Sequence, residues 1–322
     1  MGEVDPYDYL GDVVANDGKN NKNLQKRLAC GMGQISQVMN LLDLVSFGQH
    51  YVEIALPLRQ SLFLSSLLSN IEVWHGMKSM EVEALEILDR MLLRKILNAP
   101  QTTPKESLYL ELGLIPVGII LKMRRIIYLH YLLNRPRNEM LAQVFWAQWH
   151  DPYKEDWSLL VRQDLVNFGL STNPEALLLF SKHKLGKLVK EKAMNYAFKT
   201  LLDTKLKHSK MRFLEYSEFK RQNYFNLPGI HISEVRSTFL FRVHMHQFFE
   251  NFRAGLKDSR LCPLCNKHSD SQENLATCEF IKSKLKGGLQ YCDIENIYTE
   301  NVFLKSLKRV TEAILVRFSE NK

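Results

Sequence analysis

Three cysteines near one end of the chain have the spacing of a metal site. Cys262-Pro-Leu-Cys265 is followed by Asp270-Ser-Gln-Glu-Asn274-Leu-Ala-Thr-Cys278. Two thiolates separated by two residues can hold one ion from a single turn, and a third from a nearby segment can close around it. Sulfur donors in this pattern favour zinc. A histidine at position 274 would complete a Cys-Cys-His-Cys knuckle, with eight residues between it and Cys265 and three between it and Cys278. The chain has Asn274 there, a poor zinc ligand, so Asn274→His is expected to tighten zinc binding. His268, three residues beyond Cys265, is the leading substitute, and Cys292 is a more distant one. The competing reading is a set of free thiols packed as small apolar groups.

A second cluster could bind phosphates. Between Lys182 and Gln222 stand 10 Lys and 2 Arg against Glu191, Asp203, Glu215 and Glu218. That local excess of eight equals the net charge of the whole chain, +8. Such a density is an electrostatic footprint for polyanions, although a charge run can also be a solvated helix face. Lys182, Lys184, Lys187, Lys190 and Lys192 are the candidate contacts here, and Lys122, Arg124 and Arg125 form a smaller group upstream. Backbone contacts of this kind give salt-dependent affinity with little sequence preference. Tyr128 and Tyr131 lie among the upstream cations and would be able to stack bases, but aromatics at helical spacing are more often core. No phosphate loop, dinucleotide fingerprint or nucleophile–base arrangement is present.

These residues need a frame, and the frame reads as mainly α. Residues 4–15 are short and β-like before the turn signal Asn16-Asp17-Gly18, which suggests a hairpin packed on the helices after it or on a partner. Helices are predicted from about Lys22 to Leu44, from Pro57 to Met77, and from Ser79, as N-cap, onward with the stripe Leu85, Leu88, Leu92 and Ile96. Thr103-Pro104-Lys105-Glu106 opens a short helix ending at Gly113, and Pro116 opens another reaching Asn134. The aromatic stretch from Phe145 to Trp157 is expected to be an irregular connection at a domain boundary. Asn173-Pro174 and Ser233 start further helices, and a last one spans about Val302 to Phe318. The expected organisation has four segments: a hairpin over 1–20, a helical domain over 21–145, a basic helical domain over 146–255, and a small zinc module with the final helix over 256–322.

Composition fits an intracellular, reduced, globular protein. Hydrophobic residues make up 45% of 322, and the five cysteines are an odd number. The first residues lack a secretory signal, Pro6 stands where a myristoylation pattern wants Ser or Thr, and no apolar run is long enough to span a bilayer.

Taken in order, the motifs resemble the C-terminal part of a reverse transcriptase from a non-LTR (LINE-like) retrotransposon. Tyr9-Leu10-Gly11 with Asp17-Gly18 is similar to that family's hairpin after the palm. Leu67 to Trp74 is similar to its thumb segment. Leu88 to Leu97, Thr103 to Glu106, Leu108 to Gly113 and Arg124 to His130 are similar to the region beyond it. The cysteine cluster looks like the family's C-terminal zinc knuckle, with Asn274 at the usual histidine position. The resemblance implies a helical thumb-like bundle that contacts RNA or DNA backbone, and a palm portion as partner if a longer product exists. It does not imply catalysis by this chain alone. The family's palm holds two metal ions with an Asp-Asp pair, and this sequence has no Asp-Asp anywhere. The alternative is a helical protein-interaction module with no nucleic-acid role.

Overall fold

The computed structural model describes residues 7–9, 12–14, 19–44, 50–153, 156–207, 211, 214, 216–227, 231–244, 255, 259–262, 265–269, 278–279 and 283. Cys292, Asn274 and the predicted helix over 302–318 lie outside these residues, as do Leu10, Gly11 and Asn16 to Gly18. Among the described residues the protein is mainly helical, as the sequence periodicity predicts. Strands β1 (Tyr7–Tyr9) and β2 (Asp12–Val14) pair antiparallel, Tyr7 opposite Val14 and Tyr9 opposite Asp12.

The helices are α1 (Asn21–Leu44), α2 (Tyr51–Leu58), α3 (Ser65–Leu67), α4 (Ser79–Leu97), α5 (Lys105–Leu112), α6 (Val117–Leu133), α7 (Met140–His150), α8 (Trp157–Asn167), α9 (Lys182–Lys205) and α10 (Ile232–His244). Two differ in outline from the sequence expectation. The second helix begins at Tyr51, six residues before Pro57. Proline lacks the N–H that would reach back one turn. The ladder then widens into a π-helical turn over Arg59–Leu64 before α3. Asn70 comes next with φ of 56°, a left-handed conformation that asparagine tolerates, and α-helix does not resume before Trp74. The aromatic stretch after residue 145 is also helical. Phe145 and Trp149 stand four apart on one face of α7, both buried, with ring centroids 5.6 Å apart. Local aromatic and proline content suggests a break, but the i, i+4 pair makes a packing face.

The chain divides into two compact units built from interleaved stretches, so neither coincides with the four segments expected above. The first draws on Met1–Asn40, Leu56–Leu92 and Ile115–Thr200, and the expected boundary at 145/146 falls inside it. Here α6 is central, packing on α7, α8 and the turns at Ile71–Val73 and Pro174–Leu179. A two-stranded hairpin has little stability alone. Side chains of α1 hold this one: Asn23 bonds both the N–H and the carbonyl of Val13, at 2.5 and 2.7 Å, and Arg27 pairs with Asp12 at 2.6 Å. Gly31 lets α1 come close to its neighbours, because a Cβ there would lie 2.8 Å from Leu67 and 3.0 Å from Leu88. Arg59 and the fully buried Asp89 form a two-bond pair at 2.6 and 2.7 Å.

The second unit draws on Leu41–Ala55, Leu93–Leu114 and Leu201–Lys322. Its interior contains a carboxylate, Glu111, with no exposed surface. Tyr216 and Tyr224 donate to it at 2.6 and 2.7 Å, and the Arg242 guanidinium donates to both its oxygens at 3.0–3.1 Å. Burial, and after it the Glu111 charge, raises both tyrosines well above the ordinary phenol value, so they remain donors. Next to it Gly113 ends α5 at φ of 61°, and a Cβ there would lie 2.4 Å from the Arg221 nitrogen. The left-handed backbone and the close approach both require glycine. Glu111→Ala leaves the Arg242 charge buried without this partner and should cost about 3–5 kcal/mol of stability. Denaturant unfolding measures it, and a change within about 0.5 kcal/mol, the effect of an ordinary surface substitution, would mean the network is not a structural centre.

Candidate metal centre and basic surface

The cysteine site is built from a tight turn. Leu261 and Ser269 pair by an antiparallel bridge. Inside it the Cys262 N–H donates to the His268 carbonyl at 2.7 Å, and the Asn266 N–H donates to the Cys262 carbonyl at 2.8 Å. Asn266 takes φ of 52°, which reverses the chain within a few residues. This turn gathers the Sγ atoms of Cys262, Cys265 and Cys278 within 4.8 Å of one another, close enough to bind a metal ion. Cys262 and Cys278 are buried and Cys265 is half-buried.

Hydrogen bonds favour the thiolate form of Cys265. Burial alone would push its thiol up. The backbone N–H groups of Lys267 and His268, then the thiols of Cys262 and Cys278, outweigh burial and bring it below the ordinary thiol value. Backbone donors aimed at a sulfur are the outer-shell support that orients a metal ligand. An exposed ion pair, Lys267 to Glu279 at 2.7 Å, links the turn to the residue after Cys278. His268 is exposed, and its ring is not among the atoms gathered here. Its contributions are its carbonyl and its N–H.

The basic candidates separate into two groups. Arg125 is buried and donates to Asp164 at 2.6 Å. Lys122 lies 3.8 Å from the same carboxylate and 5.3 Å from the centre of the Tyr196 ring. Burial pushes Lys122 below its ordinary value and Asp164 above its own. Arg124 donates to the Leu68 carbonyl and pairs with Glu72 at 3.5 Å. These three expected phosphate contacts are internal partners of α6 in the first unit. The carboxylates that pair with them, Asp164 and Glu72, come from elsewhere in the chain.

Helix α9 is different. Leu185, Val189, Ala193 and Ala197 are all fully buried, at i, i+4 spacing. This stripe turns Lys182, Lys184, Lys187 and Lys190 outward, where all four are exposed, while Lys192 is half-buried at the edge of the stripe. Among the described residues none of these five ammonium groups has a carboxylate within ion-pair distance. The sequence does not mark one further feature, a cleft of about 470 Å³ beside the start of α9, because its walls come from segments some 50 residues apart.

Comparison with family models, with curated proteins and with solved structures finds no match to this chain. Among the described residues no helix is long and apolar enough to cross a membrane.

The gathered thiols should be protected together. When metal-free protein is given a thiophilic divalent ion and then an alkylating reagent, Cys262, Cys265 and Cys278 should resist labelling. Cys30, exposed on α1, should react as before. Peptide mass mapping distinguishes this from equal labelling with and without metal, which would contradict a shared site.

Proposed function

We propose that this chain binds nucleic acid through phosphate contacts along the exposed lysine face of α9. The supporting observation is that Lys182, Lys184, Lys187 and Lys190 are exposed on one helix, held outward by the buried stripe beneath, with no carboxylate partner among the described residues. Several exposed ammonium groups on one helix suit a phosphodiester backbone and read no sequence. The cysteine turn is a zinc knuckle in this reading. Zinc fits three close sulfurs with backbone donors behind one of them, and its fourth ligand comes from outside the gathered set.

The mainly helical fold, the N-terminal strand pair and the order of motifs support a relationship to the region of a LINE-like reverse transcriptase that lies beyond the palm. In that relationship the chain holds template RNA or target DNA, and carries no polymerase carboxylate pair of its own. One observation favours a second reading, a protein-interaction module. Met140, Leu141 and Val144 on α7 are 80%, 42% and 51% exposed and form an apolar face.

Charge reversal distinguishes the two readings. Lys187→Glu with Lys190→Glu should weaken binding to single-stranded RNA at low salt by at least about tenfold, with the circular dichroism spectrum unchanged. Affinity equal to that of the unaltered protein would remove α9 from the interface and favour the apolar face of α7.

A further inference from the structure

The cleft beside α9 lies between the outer face of α6 and the turn entering α9. Its volume, about 470 Å³, falls in the range of small-molecule sites. Ile127 and Tyr131 form one wall, and Leu178, Leu179 and Phe180 form the other. The spacing between the walls is fixed from below. His130 Nε2 meets the Phe180 carbonyl at 3.0 Å, and the Asn134 amide donates to the His130 carbonyl at 2.8 Å. Tyr131 is also held in place: its ring lies 5.7 Å from that of Tyr128 at 26°, and the Arg135 guanidinium sits 4.5 Å from its centre. A wall already ordered loses little entropy when something packs against it.

The walls are unusually apolar for a surface beside a lysine helix. Leu179 is 85% exposed, Leu178 44%, Tyr131 43% and Phe180 36%. The rim is polar and cationic, with Asn134, Ser181 and Lys182, and no carboxylate lines the cleft. A flat group with polar edges and an attached anion satisfies all of these surfaces together. An apolar peptide side chain would use the walls and leave the lysines without a role.

Resting on the nucleic-acid reading of α9, we infer that this cleft takes one unstacked base of a single strand. The flanking phosphates lie on Lys182 at the rim and on Lys184 and Lys187 further along the helix. The base packs between the edge of the Tyr131 ring and the Leu179–Phe180 wall, and its own edge meets the Asn134 amide and the Ser181 hydroxyl, groups that both donate and accept. Every base has the same flat apolar faces, so this contact adds affinity for single strands without choosing a sequence.

The test compares a single-stranded oligonucleotide with an abasic strand of equal length at one salt concentration, using the full chain. The unaltered protein should bind the base-bearing strand at least about fivefold more tightly. Tyr131→Ala and Leu179→Ser, both at exposed positions, should each remove most of that difference and leave abasic affinity unchanged. Equal binding of the two strands would overturn the base site while leaving the phosphate surface in place. A loss of abasic affinity in these variants would show a structural defect instead of a base contact, and would also overturn the proposal. If neither strand binds, the lysine surface and the cleft fail together.

Discussion

A long helix with one apolar stripe has only one stable way to lie, and the outward position of the α9 lysines depends on that constraint. Leu185, Val189, Ala193 and Ala197 must face inward, so the lysines between them must face outward. The other faces of the helix are exposed or half-buried. The same unit shows what happens without that geometry. Lys122 and Arg125 carry the same charge, but α6 is covered on several sides, and both cations face Asp164. Cations in that setting already have a carboxylate partner inside the fold.

Buried polar groups here have specific partners, which ties distant segments together. Glu111 draws one helix and two later segments of the second unit to a single carboxylate. Asp89 and Asp164 each take an arginine in the first. The cysteine turn applies the same rule locally. Backbone N–H groups of Lys267 and His268, which a tight turn could leave unpaired, are directed at the Cys265 sulfur. The turn's own hydrogen bonds therefore hold the Cys265 sulfur beside those of Cys262 and Cys278.

Much of this is legible in the residue order, for local reasons. Apolar periodicity predicts α1 and the start of α4 to within a few residues. Gly113 and Pro116 mark the end of α5 and the start of α6, the glycine by accepting a left-handed backbone and the proline by lacking an N–H. The Cys-x-x-Cys spacing likewise predicts the gathered sulfurs. Elsewhere the local signal is overruled. The helix expected from Asn173-Pro174 is a short 3-10 turn, and α9 begins only at Lys182. Pro57 suggests a helix start but lies inside a helix that widens after it. The aromatic run near Trp146 suggests a linker but packs as α7. The basic candidates divide according to Asp164 and Glu72, carboxylates that helical spacing on α6 does not locate. The cleft is assembled from Tyr131 and Leu179, which no sequence window contains together.

The central claim is that exposed lysines of α9 meet phosphates directly, and salt dependence tests it most closely. The dissociation constant for single-stranded RNA should be measured across a range from low to physiological salt. Each phosphate neutralised on a single strand contributes about −0.7 to the slope of log affinity against log salt. Three or four α9 lysines in contact predict a slope of roughly −2 to −3. A slope near zero, or no measurable binding at low salt, would contradict the account.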